Sequence, residues 1–137
     1  MIETWRGLYP ITAFAHDALR HKLESEGEAA LSVPENTLLV ACEFWAAANR
    51  GAIGARFESD AVKQLLAATT AFTQLGALQV AAKLRSAVTQ LTRGPTPVPY
   101  AEVAVWLEEE VVRTDDVVDD LIARFAIEQV DMDAPLR

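Results

Sequence analysis

Residues 31–57 read LSVPENTLLVACEFWAAANRGAIGARF, and this stretch decides the fold. Ser32 followed by Pro34 and Glu35 is a helix-start pattern. Serine sits at the N-cap, proline in the first turn, and glutamate three residues on can reach back to the serine amide. Beyond it, Leu38, Cys42, Trp45 and Asn49 recur on one face, while Val40, Ala41 and Phe44 make the other sides apolar. A helix apolar nearly all round is stable only where neighbours cover every side, so the pattern predicts a central buried helix over about 34–50. Gly51 supplies its C-terminal stop, because glycine adopts the left-handed conformation without a Cβ clash. Gly54, Arg56, Phe57, Ser59 and Asp60 then read as a connecting loop, with Ser59 or Asp60 capping the next helix.

The segments on either side supply the covering helices. Ile11, Phe14, Ala15, Ala18, Leu19, Lys22 and Leu23 recur at helical spacing and predict a helix over about 11–26, stopped by Gly27. After the loop, Val62, Leu65, Leu66, Thr69 and Phe72 form the inward face of a helix running to about 75, ended by Gly76. The next, over about 78–92, turns Leu78, Ala81, Leu84, Val88 and Leu91 inward. The turn between these two is so short that they must pack as an antiparallel hairpin. GPTPVP at 94–99 is a stiff, extended connector. A helix over about 100–113 follows, with Val103, Trp106, Leu107 and Val111 inward and Glu108, Glu109 and Glu110 outward. The last starts at Asp115 or Asp116, runs to about 128, and buries Val118, Leu121, Ile122 and Phe125. Residues 1–10, with Trp5, Tyr9 and Pro10, read as an N-terminal arm, and residues 130–137 as a frayed tail. The expected fold is one all-α domain, 1–137: a compact bundle of about six helices around a central one.

Composition narrows the function. The chain has 137 residues, enough to bury a core without disulfides. Its single cysteine, Cys42, rules out an internal disulfide and a Cys-based zinc site, and its apolar neighbours make it a buried small hydrophobe. Residues 1–10 lack the basic start and apolar run of a secretory leader, and the apolar run 38–48 is interrupted by Glu43 and too short to span a bilayer. A cytoplasmic, non-membrane protein is expected. The net charge is −8, from 20 acids and 12 bases, and it is unevenly placed. Residues 1–99 hold nine acids and nine bases, whereas residues 100–137 hold eleven acids and three bases, so the whole imbalance lies in the last 38 residues. Direct nucleic-acid binding needs a basic surface and is disfavoured; a basic partner fits better.

The sharpest candidates among these acids are Glu108, Glu109 and Glu110, then Asp115, Asp116, Asp119 and Asp120. Three readings compete. Carboxylates at i,i+3 and i,i+4 could hold magnesium for nucleotide or diphosphate hydrolysis, with Glu109, Glu110, Asp116 and Asp119 as ligands; only Arg113 and Arg124 lie nearby as a phosphate clamp. Alternatively Glu108, Glu109, Asp115, Asp116, Asp119 and Asp120 present a surface to a basic protein. That would account for the like-charge i,i+4 pairs Asp115/Asp119 and Asp116/Asp120, each of which costs a few tenths of a kcal/mol. Third, Asp115 and Asp116 simply cap the last helix, and the rest is a solvated face. His16 and His21 are five apart, off the i,i+4 spacing of a helical metal pair. There is no nucleophile elbow or triad pattern, and Gly51 and Gly54 are followed by no Lys-Ser/Thr of a phosphate loop.

The pieces Leu31-Ser32-Val33-Pro34-Glu35, Asn49-Arg50-Gly51, Arg56-Phe57 with Ser59, and Leu75-Gly76-Ala77 leading to Ala81, Leu84 and Ala87 form a combined pattern over about 60 residues. It resembles a bacterial helical family of otherwise unknown function that includes DNA mimic protein nineteen. The family's Asn-Asn-Gly-Gly-Phe turn is altered at Arg50, Ala52 and Ile53, and its Phe-Phe pair is Arg56-Phe57. The resemblance implies an all-helical fold and singles out Asn49, Gly51 and Phe57 as the family turn. Its best-known member implies an acidic homodimer whose carboxylates imitate DNA phosphates and occupy a DNA-binding protein. Family members also look like candidates for toxin-neutralising immunity proteins. The expectation is a non-catalytic interaction domain without cofactor, engaging a DNA-binding protein or toxin through its acidic C-terminal helices. The magnesium-dependent hydrolase is the alternative.

Overall fold

A computed structural model describes residues 9–93 and 95–130, with side chains described from residue 16 onward. Among these the chain is all-helical: α1 (Tyr9–Glu26), α2 (Val33–Asn49), α3 (Ile53–Arg56), α4 (Ala61–Leu75), α5 (Leu78–Thr92), α6 (Tyr100–Val112) and α7 (Val118–Gln129). A single 3-10 turn, Glu28–Ala30, precedes α2. The extra helix is α3, which occupies part of the expected loop; four residues are too few to carry a periodic signal. α1 begins at Tyr9, so Tyr9 and Pro10 belong to the helix and not to an arm. Trp5 and the tail from residue 131 lie outside the described residues. Among the described residues no helix is long and apolar enough to cross a membrane.

The chain divides into two compact units, and α2 passes from one to the other between Glu43 and Phe44. The first comprises residues 1–43 with 117–137. In it α1 packs on α7, and Leu19, Leu38, Leu39, Cys42, Val118, Ile122 and Ala126 are buried. The expected capping box closes α2: the Ser32 N–H donates to Glu35 Oε1 at 2.9 Å and the Glu35 N–H donates to Ser32 Oγ at 3.1 Å. Lys22 Nζ reaches both Glu35 oxygens at 3.0 Å. These bonds, the Ser32 amide first and then Lys22, hold the Glu35 carboxyl below its usual range. From Leu38 to Ala48 no α2 residue is exposed, as expected of a central helix. The one acid of that stretch, Glu43, meets Arg20 Nη1 at 3.1 Å and His16 Nε2 at 3.3 Å, which satisfies a charge in an otherwise apolar run.

The second unit comprises residues 44–116. α4 and α5 form the expected hairpin, α5 also packs on α6, and α3 lies against α6. Phe44 anchors the core, with its ring centroid 5.9 Å from Phe57 in a stacked pair and 5.6 Å from Phe72 edge-on. Two helices end in the same way. After α2, Gly51 (φ 66°) turns the chain so that the Ala52 N–H bonds the Ala47 carbonyl at 2.8 Å. After α4, Gly76 (φ 86°) lets the Ala77 N–H bond the Phe72 carbonyl at 2.9 Å. Both are Schellman closures, which require a left-handed residue.

The inward faces differ from expectation at several positions. Leu66 is 49% exposed, because α4 buries Leu65, Ala68, Thr69 and Phe72, and Leu66 stands on the flank of that stripe. Leu78 is 61% exposed, and α5 buries Val80, Ala81, Leu84 and Ala87 instead. Helical side chains lean toward the N-terminus, so a first-turn residue such as Leu78 points past the end of its own helix. Asp60 is the N-cap of α4 but in a left-handed conformation (φ 57°), and its side chain makes no capping bond. α7 starts at Val118 with Val117 as N-cap, so neither Asp115 nor Asp116 caps it.

Candidate functional site

Five helices begin without a side-chain bond from their own N-cap residue. These residues are Ala52, Asp60, Ala77, Pro99 and Val117, before α3, α4, α5, α6 and α7. Helix N-termini present unsatisfied N–H groups and positive dipole ends, which attract carboxylates. Two acids of the C-terminal third meet that need from a distance in sequence. Glu108 Oε2 accepts from the Ile53 N–H at 2.7 Å, at the start of α3. Asp116 Oδ2 accepts from the Val80 N–H at 2.9 Å, in the first turn of α5. Glu108 is therefore half-buried and turned inward, a correction to its expected outward position; its partner lies 55 residues away in the chain, beyond the reach of periodicity.

The remaining acids divide further. Glu110 is half-buried, with Lys83 Nζ at 2.9 Å and Arg113 Nη1 at 3.8 Å. The Lys83 hydrogen bond and charge, followed by Arg113, hold its carboxyl below the usual range. Asp120 pairs with Arg124 at 2.9 Å along α7. Asp119 is half-buried and adds to the negative field at Cys42, whose thiol is pushed up to about 12 by burial first and then by Glu43 and Asp119. Such a thiol stays protonated near neutral pH, as expected of a buried small hydrophobe. Glu102, Glu109, Asp115 and Glu128 are exposed, and their carboxylates make no ion pair or hydrogen bond among the described residues.

The carboxylates of the hydrolase alternative thus go separate ways: Glu110 to Lys83, Asp116 to an amide, Glu109 to solvent. Among the described residues no group of three or more His, Cys, Asp or Glu side chains converges to hold a metal ion. His16 lies against Glu43, and His21 stands beside Ser25.

The Gly51 turn and Glu108 meet at one place. Between α3 and α6 lies an open groove of about 580 Å³, walled by Gly51, Gly54, Ala101 and Ala104. A Cβ built on Gly54 would lie 3.7 Å from the Ala104 Cβ, so α3 and α6 approach closely because both residues are small. Glu58, Glu108 and Tyr100 complete the rim, and none of the lining residues is basic. The Tyr100 hydroxyl donates to the Ile53 carbonyl at 2.6 Å. Its pKa is pushed up to about 12 by burial, then by the charges of Glu108 and Glu58. Gly51 borders the groove, whereas Phe57 belongs to the aromatic core and Asn49 Nδ2 donates back to the Trp45 carbonyl of its own helix at 2.8 Å. Tyr100 and Glu58 carry no motif signal; only folding brings them together. Compared with protein-family models, with curated proteins and with solved structures, the chain finds no match.

Proposed function

We propose that the chain is a non-catalytic interaction domain that engages a basic protein surface through the acids of its C-terminal third. The observation that carries this reading is the charge surplus left after internal needs are met. Glu108 and Asp116 serve as helix caps, and Glu110 and Asp120 have cationic partners. Glu102, Glu109 and Asp115 remain exposed in one unit and Glu128 in the other, and none of them forms an ion pair among the described residues. Glu102 and Glu109 stand two turns apart on one side of α6, and a basic partner supplies the counter-charge they lack on docking. On α6 the acids Glu102 and Glu109 alternate with exposed Val105 and Val112, at 59% and 51%, so the face offers apolar area as well as charge. Steering by the acids and burial of the valines together suit a protein partner.

The finer form of the proposal is an inhibitor that occupies a DNA-binding protein or a toxin, the role implied by the resemblance to the DNA-mimic family. The test is a pull-down with the wild type and with a Glu102→Lys/Glu109→Lys/Asp115→Lys variant, captured proteins being identified by mass spectrometry. The expected result is a basic partner, lost in the variant and weakened by raised salt. A captured set unchanged by the charge reversal contradicts the proposal.

A further inference from the structure

We infer that the groove between α3 and α6 seats an arginine side chain of the basic partner, with Glu58 and Glu108 as its counter-charges. The inference rests on the proposed engagement of a basic protein and names the chemistry of one contact. Three observations converge on it. The walls combine the small residues Gly51, Gly54, Ala101 and Ala104 with the apolar side chain of Val105, which suits the weakly hydrated face of a planar cation. Both charged residues on the rim are acids. Their carboxylates also have unused capacity: Glu58 is exposed and makes no hydrogen bond or ion pair among the described residues, and Glu108 uses Oε2 on the Ile53 amide, which leaves Oε1 available.

Competing occupants fit less well. For a divalent cation, no group of three or more His, Cys, Asp or Glu side chains converges among the described residues, here or elsewhere. An anion meets the negative field that already opposes ionisation of the Tyr100 hydroxyl. A lysine ammonium is compact and strongly hydrated, so it loses more by entering a groove lined with alanine and glycine. A guanidinium is weakly hydrated, planar, and able to bridge two carboxylates with separate N–H groups. Lysine is therefore the control.

The probe is a short amidated peptide of repeating Arg-Gly-Ser units, set against its Lys-Gly-Ser counterpart of equal charge. Both are titrated at low ionic strength by calorimetry, and by amide chemical shifts in the labelled protein. The expected result is about tenfold tighter binding of the arginine peptide, the worth of one additional charge-assisted bond, with shifts centred on Gly51, Gly54 and Ala104. Ala101→Trp, which fills the groove from an exposed position, and Glu58→Gln, at an exposed residue, should each bring the arginine peptide down to the level of the lysine peptide. Equal binding of the two peptides, unaffected by both substitutions, overturns the groove assignment; the acidic-surface reading then stands if Glu109→Lys/Asp115→Lys still weakens both. No binding of either peptide at low salt overturns both readings.

Discussion

Replacing the half-buried Glu108 by alanine should destabilise the protein by about 2 kcal/mol. Its carboxylate accepts the Ile53 N–H at 2.7 Å, and Ile53 itself is fully buried. Alanine leaves that amide without an acceptor at the start of a helix whose N-cap, Ala52, offers none. A hydrogen bond to a charged group contributes about 1.5–3 kcal/mol, and an acid at a helix N-terminus about 0.3–1 kcal/mol within it. For a chain of this length, about 2 kcal/mol corresponds to roughly a 6 °C fall in unfolding midpoint. Glutamine is the informative companion. Its amide oxygen can still accept from Ile53, so Glu108→Gln should lose only about 1 kcal/mol, the difference between charged and neutral bonds. Urea unfolding followed by circular dichroism measures both. If alanine costs less than about 0.5 kcal/mol, or if glutamine costs as much as alanine, Glu108 does not act as the cap of α3.

The same reasoning extends to other sites. Asp116→Ala should cost about 1–2 kcal/mol through loss of the Val80 cap, and Asp116→Asn, which retains an acceptor, should cost a few tenths by the same unfolding assay. Gly51→Ala and Gly76→Ala should each cost about 1–2 kcal/mol by thermal unfolding. No atom lies within 4 Å of a Cβ at either position, so the cost is wholly that of positive φ. Glu35 has its folded pKa lowered, so the stability it contributes is present above the ordinary carboxylate range and is lost as pH falls through and below it. Urea midpoints measured down this range should fall less steeply for Glu35→Gln than for the wild type.

Local chemistry made the helices legible in the sequence. Ser32, Pro34 and Glu35 start α2, and Gly51 and Gly76 end α2 and α4, because caps and stops act within a few residues of their own position. The hairpin of α4 and α5 followed from a turn too short for any other arrangement. α3 escaped notice because four residues leave no period to read. Two of the acids, Glu108 and Asp116, lie elsewhere than expected for a different reason. Asp115 and Asp116 stand where caps of the next helix would stand, yet Asp116 reaches back to α5, 36 residues earlier. Likewise Glu108 lies in a run of three glutamates that look alike in sequence. In the structure one caps α3, one is exposed, and one pairs with Lys83. The groove was invisible for the same cause: Gly54, Glu58, Tyr100 and Glu108 become neighbours only through the packing of α3 on α6.

The division of the acids into internal caps and a presented surface is tested most directly by one titration. The affinity of the Arg-Gly-Ser peptide is measured for the wild type and for Glu102→Lys/Glu109→Lys/Asp115→Lys, with unfolding midpoints recorded on the same samples. Carboxylates that serve a partner and not the fold should give at least about tenfold weaker binding, a reduced dependence on salt, and an unchanged midpoint. Unchanged affinity, or a loss of affinity that merely follows a loss of stability, contradicts the division.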